Sequence, residues 1–70
     1  MEIAEKLAGY QAMKGRFYLR ERDNLVVLIK DIVARGTTDT PEIVFILGDS
    51  QSSLLEIAEN IFLSGFRKLS

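Results

Sequence analysis

The sequence contains no cysteine, no histidine and no tryptophan, and a single proline. Without Cys or His the chain cannot form a disulfide, a thiolate nucleophile or an imidazole base, and the usual zinc ligand sets are missing as well. Ser50, Ser52 and Ser53 have no candidate base nearby and read as helix caps rather than nucleophiles. Glu56 and Glu59, three residues apart, read as solubilising carboxylates on one helix face, because no other ligand accompanies them. These absences predict a protein that is not an enzyme and carries no cofactor and no metal. Long hydrophobic runs are missing too: the longest, Leu25–Ile29 and Ile43–Leu47, fall far short of the roughly 20 apolar residues a membrane-spanning helix needs. Glu2 and Glu5 stand where a signal peptide would be basic. The expectation is a cytoplasmic protein with no membrane contact.

The 70 residues are 47% hydrophobic and 27% charged, a balance that argues for folding rather than disorder. One small domain over 1–70 is expected. A chain this short buries a modest fraction of its surface, so it must gain stability from close packing or from a second chain. Net charge is only -1, but residues 1–36 hold seven basic and five acidic side chains, while residues 37–66 hold five acidic and none basic. Such asymmetry suits charge complementarity between two chains, or a basic face for an anionic partner.

Apolar spacing predicts an all-α bundle of about four short helices, over 2–13, 16–35, 41–47 and 51–64. Ile3, Leu7 and Tyr10 form the stripe of the first, and Gly15 is read as a break after it. Leu25, Leu28, Ile29, Ile32 and Val33 give the helical i, i+3, i+4, i+7, i+8 pattern, and Arg35 and Gly36 close the segment. Whether 2–35 is one helix or two is left open, since Asp23 and Asn24 suit either a cap or a wet face. Ile43–Leu47 is β-branched enough for a buried strand, but Thr40-Pro41-Glu42 has the form of a helix start, and the cap is taken as decisive. Ser53-Leu54-Leu55-Glu56 has the form of a capping box, and Gly65 ends the last helix with Phe66 folding back on Ile61.

Val26, Val27, Phe45 and Leu63 fall off these stripes and leave apolar surface that one small core does not need. A homodimer burying it is expected, with Val27, Phe45 and Leu63 at the partner contact.

Thr40–Ile57 resembles the helix-turn-helix of small bacterial and phage regulators: a short apolar helix, a glycine turn at Leu47-Gly48, then Ser50-Gln51-Ser52 opening a second helix. The resemblance implies a DNA-reading helix with Gln51 and Ser52 near base edges. The stretch Lys14–Arg22 adds cations interleaved with Phe17 and Tyr18, and Arg16 and Arg20 one helical turn apart are the candidate phosphate contacts. Against this, the implied reading helix carries Glu56 and Glu59 and no cation, whereas phosphate neutralisation dominates DNA affinity. The first reading is therefore a regulatory or adaptor protein whose partners are a second copy of itself and an unidentified protein. A DNA-binding regulator is the alternative.

Overall fold

The computed structural model describes residues 2–48 and 53–69. The chain opens with helix α1 (Glu2–Tyr10) and a 3-10 turn (Gln11–Met13), and continues as strands β1 (Phe17–Arg20), β2 (Leu25–Gly36), β3 (Pro41–Gly48) and β4 (Leu54–Ala58). Helix α2 (Glu59–Gly65) and strand β5 (Phe66–Lys68) complete it. The strands form one sheet in the order β4-β3-β2-β1-β5, antiparallel at every pairing. β1 to β4 are laid down as a meander, and α2 then carries the chain across one face of the sheet, from the β4 edge to the β1 edge.

The expected all-α bundle is thus incorrect over most of its length, and each departure has a local cause. Only the first helix stands, with Gly15 as the break: its φ is 83°, a left-handed value that suits glycine, and its N–H donates to the Ile29 carbonyl at 2.9 Å. The segment 16–35 is a hairpin. Asp23 and Asn24 lie in its turn, where Asn24 takes a φ of 57° and Asp23 accepts two hydrogen bonds from Arg20, at 3.0 and 2.7 Å. The helical spacing over Leu25–Val33 arises because a bulge at Lys30 shifts the pairing between Ile29 and Asp31. Core-facing positions therefore run Val27, Ile29, Ile32, while Leu28 and Val33 lie on the other side.

Residues 41–47 are strand as well. Pro41 occupies the first position of β3, where a missing N–H costs the ladder little. The preceding turn is closed by Thr37, whose hydroxyl accepts the Thr40 N–H at 3.0 Å. The last predicted helix is split: Leu54–Ala58 pairs with β3, and α2 begins only at Glu59, with Ala58 at its N-cap and no side-chain cap bond. Ser53 and Glu56 therefore form no capping box; Glu56 belongs to a strand. Helix α2 does end at Gly65, and Phe66 stacks on Phe62, with centroids 5.0 Å apart.

Burial explains why the sheet wins. Tyr18, Val27, Ile29, Ile32, Ile43, Phe45 and Leu47 alternate onto one face, where Phe62 of α2 is inserted among them. Phe62 stacks on Phe45 at 4.1 Å and nearly parallel, and Tyr18 and Tyr10 meet the pair at their edges. Both helices cover this one face. None of the described helices is long and apolar enough to cross a membrane.

Candidate interaction surface

Residues that alternate with the core positions point to the opposite face, on which neither helix packs, although Val44 on it is only 7% exposed. Pairing register places them in rows. Leu54 lies opposite Gly48, Gly48 opposite Leu28, and Leu28 opposite Phe17. Leu69, whose N–H donates to the Phe17 carbonyl at 3.0 Å, continues the row beyond β5. One apolar line thus runs across β4, β2 and β1 to Leu69 just past the end of β5, interrupted at Gly48, which has no side chain. Of its members Leu54 is 63% exposed, Leu69 49% and Phe17 47%. Val26 is 46% exposed and flanks the row on β2, with Leu19 of β1 as its cross-strand neighbour.

A shallow recess of about 410 Å³ opens in this row between Phe17, Val26, Leu28, Lys30 and Gly48. The bulge puts Lys30 beside it, and the aliphatic stem of Lys30 lies over Gly48: a methyl group there would meet the Lys30 Cε at 2.7 Å. Arg67 shares the face through its pairing with Leu19. Neither Lys30 nor Arg67 forms an ion pair among the described residues. Further along the strands the charges are matched. Arg35 grips Glu56 through two hydrogen bonds of 2.7 and 2.9 Å, and Lys14 lies 3.4 Å from Asp31. The Asp31 carboxyl is held below its usual range, chiefly by accepting the Ile32 N–H and then by Lys14. That bond, with the Gln11 amide donating to the Ile32 carbonyl at 3.1 Å, closes part of the β2 edge that β1 leaves uncovered.

The residues expected to carry function are dispersed. Val27 and Phe45, expected at a partner contact, are 1% and 0% exposed within the chain's own core, and Leu63 is 58% exposed on α2. Gln51 and Ser52 lie outside the described residues. Arg16 precedes β1, whereas Arg20 is engaged by Asp23 at 2.7 Å. Strands β3 and β4 occupy Pro41–Gly48 and Leu54–Ala58, where two helices were implied, so the helix-turn-helix does not hold. Glu56 and Glu59 share no helix face. Glu59 instead accepts the Tyr10 hydroxyl at 2.6 Å and pairs with Lys6 at 3.1 Å, tying α1 to α2. The open face itself went unrecognised; its signal was the excess of apolar residues, Val26 among them, that the helical stripes left over. No protein-family model, curated protein sequence or solved structure matches the chain.

Proposed function

We propose that this chain is a small adaptor or regulatory protein, not an enzyme, that acts by protein–protein contact through the open face of its sheet. One observation carries the reading: a line of exposed apolar side chains, Leu54, Phe17 and Leu69, crosses the sheet with Val26 beside it, and no described element lies above them. Contiguous exposed apolar surface of this kind is costly in water and marks contact sites in soluble proteins. Self-association through the same face belongs to this reading. A photo-crosslinking residue at Val26 should yield discrete protein adducts in living cells, and the same group at Asn60 on α2 should not. Equal yields at the two positions, or adducts to nucleic acid alone, would contradict it.

A second reading rests on the β1–β5 edge. Pairing of these strands brings Arg67 and Lys68 alongside β1, with Arg16 and Arg22 at its two ends, and none of the four has an ion-pair partner among the described residues. Such an edge suits nucleic-acid phosphates, while the aliphatic character of the face beside it favours protein. A shift assay on mixed duplex DNA at low salt separates them: retardation supports the second reading, and its absence the first.

A further inference from the structure

We infer that the occupant of the open face is an amphipathic helix of a partner protein whose apolar stripe is flanked by carboxylates. The inference rests on the adaptor reading and deepens it. The row from Leu54 to Leu69 spans four strand spacings, about 19 Å at about 4.8 Å each. At a rise of about 1.5 Å per residue, that is the length of a helix of roughly 13 residues, the usual size of a helix seated in an apolar groove by anchors at i, i+3, i+4 and i+7. The recess at Phe17, Val26 and Leu28 offers room for one such anchor.

Charge selects the flanks. Lys30 at the lip of the recess and Arg67 beyond Leu19 are the cations of this part of the face, and neither forms an ion pair among the described residues. Of the acids on the same face, Asp31 and Glu56 are already held by Lys14 and Arg35, and Glu42 lies across from Arg35 at the opposite end of β3 from Gly48. An incoming carboxylate therefore meets two available cations beside the apolar row. An incoming cation meets repulsion there. A second copy of the chain would bring Lys30 and Arg67 against this face once more, which makes self-pairing the poorer match.

The test uses two synthetic helical peptides of about 13 residues with the same apolar stripe, one flanked by Glu and the other by Lys, titrated into the whole protein and followed by calorimetry. The Glu peptide should bind about tenfold more tightly than the Lys peptide and weaken as salt is raised. In the double variant Lys30→Glu, Arg67→Glu the preference should invert, with far-UV circular dichroism unchanged because both side chains are exposed. Equal binding of both peptides, or a preference the double variant does not alter, would overturn the acidic partner and leave the adaptor reading intact, provided Val26→Lys abolishes binding. Two results would reject the helix as occupant: failure of either peptide to bind while the chain self-associates through Val26, or binding only to vesicles of equal parts phosphatidylcholine and phosphatidylserine. Absence of peptide binding and of self-association together would sink the adaptor reading as well.

Discussion

Two glycines in this chain do opposite things. Gly36 ends β2 with a φ of 91°, and a side chain there would run into the Thr40 carbonyl oxygen across the turn. Gly36→Ala therefore combines an unfavourable backbone conformation with a clash against backbone, and should cost about 1–3 kcal/mol in urea unfolding. Gly48 has ordinary backbone angles, and its added methyl would meet the movable stem of Lys30. Gly48→Ala should change stability by less than about 1 kcal/mol, because an exposed lysine swings away at little cost. Equal destabilisation by the two would contradict the turn geometry.

At the level of elements, α1 and α2 are tied by a hydrogen bond and an ion pair that meet on Glu59. Tyr10 donates to Glu59, and the hydroxyl pKa is pushed up to about 12, first by that bond and then by burial. Glu59 is held below its ordinary 4.5 by the Tyr10 bond and by Lys6. A lowered acid contributes stability above its unfolded value and loses it as pH falls through the folded one; a raised phenol contributes below 10.0 and loses it on the way to about 12. Amide exchange in α1 should accelerate at both extremes before that of β2 and β3. Tyr10→Phe should destabilise by about 1.5 kcal/mol and flatten both limbs. If α1 protection ignores pH, or survives Tyr10→Phe unchanged, the latch is not what holds the helix.

The same elements explain what could be read from the residues and what could not. The break at Gly15, the first helix, the stop at Gly36 and the end of the last helix at Gly65 were legible, because glycine and terminus signals are local. The strands were not. Both faces of β2 are largely apolar and a bulge at Lys30 interrupts its alternation, so two interleaved rows of period two imitate one row of helical period. In β3 the signs of a helix cap at Thr40-Pro41-Glu42 served a turn and a strand start instead, and β-branching at Ile43, Val44 and Ile46 was the better guide. The candidate surface was visible only as unplaced apolar residues, since which face they share depends on register.

Across the whole molecule, two short helices cover one side of the sheet, and none of the described helices packs on the other. Arg67 and Lys68, which form no ion pair among the described residues, gather at the β5 edge, while Glu56 at the β4 edge is held by Arg35. Adjacent residues of β2 look into different environments: Val27 into a closed core, Val26 onto an open face. Chemical unfolding at low micromolar concentration of Val26→Lys and Val27→Lys tests this most directly. Val26→Lys should remain folded within about 1 kcal/mol of the parent, since its side chain is already half exposed. Val27→Lys places a charge in the core without a partner, at a cost of several kcal/mol, and should abolish the cooperative transition. Equal effects of the two substitutions, or a larger one at Val26, would contradict the two-faced sheet and the binding surface built on it.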